Sequence, residues 1–102
     1  MFIVLYRWRI KPNYEKQFVE SWSEITEYFV KNFGALGSRL HRGDDGIWYA
    51  YAQRLSAQQR KQVFENIPEF PARAKMRKRI EESFPEVRLE IAADFLQFPE
   101  NL

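Results

Sequence analysis

GSRLHRGDDGIWYAYAQ, residues 37–53, is the stretch whose reading decides the fold. Two alternating arms, Ser38 to Arg42 and Ile47 to Leu55, flank Gly43-Asp44-Asp45-Gly46. The arms are rich in aromatic and branched residues, which suit a pleated, half-buried surface, and the glycine and aspartate cluster supplies a turn, so the stretch reads as a β-hairpin. A two-residue loop, Asp45-Gly46, and a four-residue loop, Gly43 to Gly46, give the same facing parity, because the two registers differ by an even shift. Either places Arg39, His41, Trp48, Ala50 and Ala52 on one face, and Ser38, Leu40, Arg42, Ile47, Tyr49, Tyr51 and Gln53 on the other.

Upstream of the hairpin, Phe2 to Ile10 is β-branched, aromatic or arginine, with no proline until Pro12, and reads as a strand. Phe2, Val4, Tyr6 and Trp8 share one side; Ile3 and Leu5 take the other, ahead of Arg7 and Arg9. From Tyr14 the period changes. Phe18, Trp22, Ile25, Phe29 and Phe33 recur at three- and four-residue intervals, which predicts an amphipathic helix with Asn13 as its N-cap and Gly34 as its stop.

Downstream, Ser56 and Gln59 form a capping box for a helix over Ala57 to Asn66. Pro68 and Pro71 break that helix, and Pro71 suits the first position of another, in which Met76, Ile80 and Phe84 repeat every fourth residue until Pro85. Val87, Leu89, Ile91 and Ala93 then alternate as a last strand before the apolar tail Phe95-Leu96-Gln97-Phe98. Strand, helix, two strands, helical segment and strand, joined by right-handed crossovers, predict an α+β ferredoxin-like domain: βαββαβ, with a four-stranded antiparallel sheet and helices on one face.

The chain of 102 residues is the size of one domain, 1–102, and its hydrophobic content of 45% supplies a core. It has no cysteine, which excludes disulfides, thiolate nucleophiles and cysteine metal sites. Its opening apolar run is cut at Arg7, too early for a signal peptide or a membrane span, so the expectation is a cytoplasmic protein with no membrane partner. Both sides of the first strand are partly apolar, and a sheet covered on one face only should carry a polar second face. The open face is therefore expected to pack against a second copy in a homodimer.

FIVLYRWRIKPN, the long helix ending in Gly34, and GSRLHRGDDGIWYAYAQ together resemble the antibiotic biosynthesis monooxygenase domain of the dimeric α+β barrel superfamily. The resemblance covers nearly the whole chain and implies two ferredoxin-like subunits whose sheets face each other as a barrel, each keeping a pocket between sheet and helices. It implies oxidation of polycyclic aromatic phenols to quinones with oxygen and no metal or flavin, and, in a subset, haem cleavage. The haem-cleaving members have an asparagine where this chain has Tyr6, and a tryptophan and a histidine near positions occupied here by Phe64 and Met76. No proximal haem ligand can be assigned, and no cofactor or metal is expected.

Oxygen reacts with a phenol unaided only once the phenol is ionised, so a base is needed. His41, with an ordinary pKa of about 6.5, suits that role. Arg39 would stabilise the anion, with Tyr6 and Trp48 as walls and Ala50 and Ala52 leaving room for a small aromatic ligand. The alternative is a non-catalytic dimeric small-molecule-binding or interaction protein, with His41 exposed or interfacial and Trp48 ordinary packing. An RNA-recognition domain shares the element order. It needs a basic-glycine-aromatic-small-aromatic run, whereas Asp45-Gly46-Ile47-Trp48-Tyr49 begins with an acid, so no nucleic-acid partner is expected. Asp44 and Asp45 read as turn formers.

Overall fold

The computed structural model describes residues 1–97 and Pro99. Its elements are β1 (Phe2–Ile10), α1 (Glu15–Phe33), β2 (Ser38–Arg42), β3 (Trp48–Arg54), α2 (Ala57–Asn66), α3 (Pro71–Arg79) and β4 (Ile80–Glu90). The strands form one sheet in the order β2-β3-β1-β4, every neighbouring pair antiparallel. This is the expected α+β ferredoxin-like architecture, with the apolar stripe of α1 laid on one face of the sheet.

Phe18 shows how that face is held. It is 0% exposed, and Trp8 and Trp48 meet it edge-on with ring centroids 5.5 and 5.7 Å away. Edge-to-face contact sets the positive ring edge of one aromatic against the negative face of another, adding to the burial. With Ile10 and Ala50 these rings make one core cluster; Ile25, Phe29, Ala35, Val63 and Ala72 make a second, under the helices. Met76 packs against both.

Gly34 stops α1 as expected, in the left-handed conformation at φ 66°, with its amide donating to the Phe29 carbonyl. Asn13 is not the cap. It is itself left-handed at φ 71°, a conformation asparagine tolerates, and Tyr14 takes the N-cap position without a side-chain bond. The Ser56 hydroxyl accepts from the Gln59 amide at 3.0 Å, but Gln59 reaches away to donate to the Phe33 carbonyl at 3.0 Å, tying α2 to the end of α1.

The last strand begins earlier than its sequence suggests. Ile80 and Phe84 lie on β4 and not on α3, which ends at Arg79. The every-fourth apolar spacing continues across the boundary without the helix, and Ile80 is already extended at φ −86°, ψ 122°. Pro85 sits inside β4, where Leu5 opposes Val87 but Arg7 opposes Phe84. That bulge on an edge strand leaves room for a residue with no amide to donate, and the Pro85 carbonyl accepts from Arg7 Nη2 at 3.0 Å. In the apolar tail Phe95 is 91% exposed; Phe98 lies outside the described residues.

Candidate functional site

The hairpin tip decides what the sheet presents to each side. Gly43 donates to the Ile47 carbonyl at 2.8 Å, and Gly46 donates back to the Gly43 carbonyl at 3.1 Å with φ 80°. The loop is therefore three residues, Asp44-Asp45-Gly46, a turn closed by a left-handed glycine. Gly43 is required as well, since a Cβ there would stand 2.7 Å from the Ile47 carbonyl oxygen. Asp45 locks the tip by accepting from the Ile47 amide at 2.9 Å and from the Tyr49 hydroxyl. The Tyr49 bond, then the Ile47 bond, hold the Asp45 carboxyl below the usual range, and the same carboxylate pushes the Tyr49 phenol up.

An odd loop reverses the parity that even loops predict. Arg42 pairs with Trp48, Leu40 with Ala50 and Ser38 with Ala52, while His41 pairs with Tyr49 and Arg39 with Tyr51. Directly opposed residues share a face. Trp48, Ala50 and Ala52 therefore point toward the helices, and Arg39 and His41 lie exposed on the open side. The expected convergence of Arg39, His41 and Trp48 over the two alanines is thus corrected: one residue of loop length separates the histidine and the arginine from the aromatic wall.

Between sheet and helices lies a cavity of about 280 Å³. The sheet contributes Tyr6, Trp8, Ala52 and Arg54; α1 contributes Trp22, Ile25, Thr26 and Phe29. Phe64 from α2, with Arg73, Met76 and Arg77 from α3, closes the opposite side, and Ala35, Gly37 and Ser38 border the entry to β2. The Tyr6 and Trp8 rings, both on the cavity wall, are stacked with centroids 5.7 Å apart and planes 2° from parallel. Of the residues expected to touch a ligand, Tyr6 and Ala52 line this space. Trp48 and Ala50 share the face but are packed with Trp8 and Phe18.

Arg54 is the residue the sequence reading missed. It is 6% exposed, with its guanidinium 5.0 Å from the Phe29 ring centroid and 5.7 Å from that of Phe64. Desolvation lowers its pKa, yet a guanidinium at neutral pH keeps its charge. Among the described residues no carboxylate pairs with it and its Nη1 has no hydrogen-bond partner. Its neighbour Arg60 contrasts with it: both Arg60 terminal nitrogens bind Glu86, at 3.1 and 2.6 Å, and Nη2 also donates to the Tyr6 hydroxyl at 2.9 Å. Arg60 also lies 5.0 Å from the Phe64 centroid. Two cations thus flank Phe64, and Glu86 pairs with only one of them, Arg60. The sequence signal was present, because Arg54 continues the alternation Trp48, Ala50, Ala52.

Arg73 and Arg77, also on the cavity wall, both pair with Glu69, the former at 3.3 Å. None of the lining residues is a histidine, aspartate or glutamate. Among the described residues no group of three or more carboxylate and histidine side chains is placed to hold a metal ion, and no helix is long and apolar enough to cross a membrane. Chemically, the site can take a flat aromatic molecule and stabilise negative charge on it.

No family model and no curated protein matches the sequence. Solved structures do. SnoaB, a cofactor-independent oxygenase from Streptomyces nogalater, superposes with a TM-score of 0.76 at 12% identity, over 94% of this chain and 97% of that one. Rv0793 from Mycobacterium tuberculosis gives 0.72 at 11% identity, over 93% and 98%. A protein of Chloroflexus aurantiacus J-10-fl, provisionally named an antibiotic biosynthesis monooxygenase, gives 0.68 at 12% identity, over 91% and 94%. The chain has the fold of SnoaB and of the antibiotic biosynthesis monooxygenases.

Proposed function

We propose that the protein is a small cofactor-independent monooxygenase that takes an aromatic, polyketide-like phenol in the helix-side cavity. The observation that supports this most is the buried Arg54 guanidinium, the one lining arginine that no carboxylate pairs among the described residues, in a largely aromatic and aliphatic space. Charge interactions are several-fold stronger where water is excluded, so a phenol seated there ionises more readily than in solution. Its proton passes to water at the cavity mouth. The electron-rich phenolate transfers an electron to oxygen, the radical pair recombines at a ring carbon, and loss of water from the hydroperoxide leaves a quinone. Phenol plus oxygen balances to quinone plus water, with no external reductant. The stacked Tyr6–Trp8 pair on the wall would help hold the ring plane while this occurs.

Oxygen uptake with anthrone-like and naphthol-like substrates tests the reading. Arg54→Met should lower kcat/KM by about 100-fold, the loss typical of one removed anion-stabilising group. His41→Ala, on the far face, should leave it within about threefold. Ligand binding without oxygen consumption would instead establish the second reading, a non-catalytic small-molecule-binding protein. That no carboxylate or histidine lines the cavity among the described residues favours that alternative. Either protein would work as a homodimer joined through the open sheet face, where Leu5 is half-buried and Val87 and Leu89 are exposed.

A further inference from the structure

A second polar group on the cavity wall shares Arg54's condition. The Ser38 hydroxyl is buried and has no hydrogen-bond partner among the described residues. Ser38 opposes Ala52 across the β2–β3 pairing, and Arg54 follows Ala52 by two residues, so all three side chains project from the same face. Same-face residues one register step apart have Cβ atoms roughly 7 Å apart, a span that an arginine side chain easily closes. One wall of an aromatic cavity thus carries a guanidinium fork and a hydroxyl donor within reach of a single small group.

A buried polar group without a partner costs stability, and a buried unpaired charge costs more. Arg60 lies beside Arg54 and has both terminal nitrogens bound to Glu86; among the described residues Arg54 has no equivalent. The aromatic residues against it, Phe29 and Phe64, accept the guanidinium on their ring faces but cannot neutralise it. We infer that the cavity is built for a hydroxyaryl carboxylate: the Arg54 fork would take one carboxylate oxygen together with the adjacent phenolic oxygen, and Ser38 would donate to the other carboxylate oxygen. Such a ligand brings the one negative charge this pair of arginines lacks, and its flat ring fits the Tyr6–Trp8 wall. This rests on reading the cavity as the ligand site and narrows its substrate from phenols in general to those with an acid group beside the hydroxyl.

The test uses binding and not turnover, so that the two readings can fail separately. Quenching of tryptophan fluorescence, with Trp8 and Trp22 on the wall, would be titrated with 1-hydroxy-2-naphthoate, 1-hydroxy-2-naphthamide and 1-naphthol. The acid should bind at least about 30-fold tighter than either neutral probe, as expected for hydrogen bonds to a charged group. Arg54→Met should erase that preference while the melting temperature holds or rises, because replacing an unpaired buried charge by an apolar side chain is neutral or stabilising. Arg54→Gln gives the same comparison if the methionine variant fails to fold. Ser38→Ala should weaken the acid about fivefold. Equal affinity for the three probes, or a preference that survives in the Arg54 variants, would overturn the inference. Acid preference without oxygen uptake would uphold it and remove only the oxygenase reading, whereas oxygen uptake on 1-naphthol with no acid preference would do the reverse.

Discussion

The two faces of the sheet carry similar residue types in different solvents. Toward the helices, Trp48, Ala50, Ala52 and Arg54 are all buried, and the single cation among them sits against aromatic rings. On the other face Tyr49, Tyr51 and Gln53 of the same strand are half-buried, beside the exposed Arg39 and His41. A charge in water is screened and interacts weakly; the same charge in an apolar cavity is costly unless something completes it. Arg39 and His41 look more catalytic by residue type, yet Arg54 holds the position from which a charge can alter chemistry. Location relative to the sheet matters here more than identity.

The contrast can be broken most severely from the helix side. Phe18→Ala removes a fully buried ring held by two tryptophans and should cost about 3–5 kcal/mol in urea unfolding. A loss below about 1 kcal/mol would mean that this half of the core is loosely packed. A middle-sized effect is expected on the open face. Leu5→Glu should weaken self-association by roughly 100-fold or more, seen by sedimentation at micromolar concentration, because the interface would have to bury an unpaired carboxylate. The monomer's melting should change little. Wild-type protein sedimenting only as a monomer would remove the dimer from the proposal.

The smallest effect concerns the hairpin tip that sets the faces apart. Because Asp45's pKa is lowered in the folded protein from its ordinary 3.8, its contribution to stability is present above that value and is lost as pH falls through the folded pKa. Tyr49→Phe removes the largest cause of the shift and should move the Asp45 carboxyl back toward its ordinary range in a carboxyl NMR titration. The acid sensitivity of the hairpin amides should shrink with it. An Asp45 titration unchanged by Tyr49→Phe would show that the backbone amide of Ile47 alone holds the tip.

Much of the architecture follows from local sequence. The aromatic spacing from Phe18 to Phe33 makes α1, Gly34 ends it, Ser56 starts α2, and the alternation of residues 2–10 and 48–54 makes the two central strands; each depends on side-chain periodicity or a single backbone conformation that neighbouring residues dictate. The every-fourth apolar run through Ile80 and Phe84 misled, because i, i+4 spacing also fits a bulged strand once an edge partner supplies its hydrogen bonds. Within the candidate site, Tyr6 and Ala52 were legible as one face of adjacent strands. The side of the sheet taken by Arg39 and His41 was not, since it depends on whether the Asp44-Asp45-Gly46 tip closes with an odd or an even number of residues, and both closures are available to such a loop. Nor could the sequence alone show that Arg54 is buried unpaired while Arg60 finds Glu86. Which cation meets a carboxylate depends on how α2 lies over the sheet and where β4 runs, and those placements arise only when distant segments pack together.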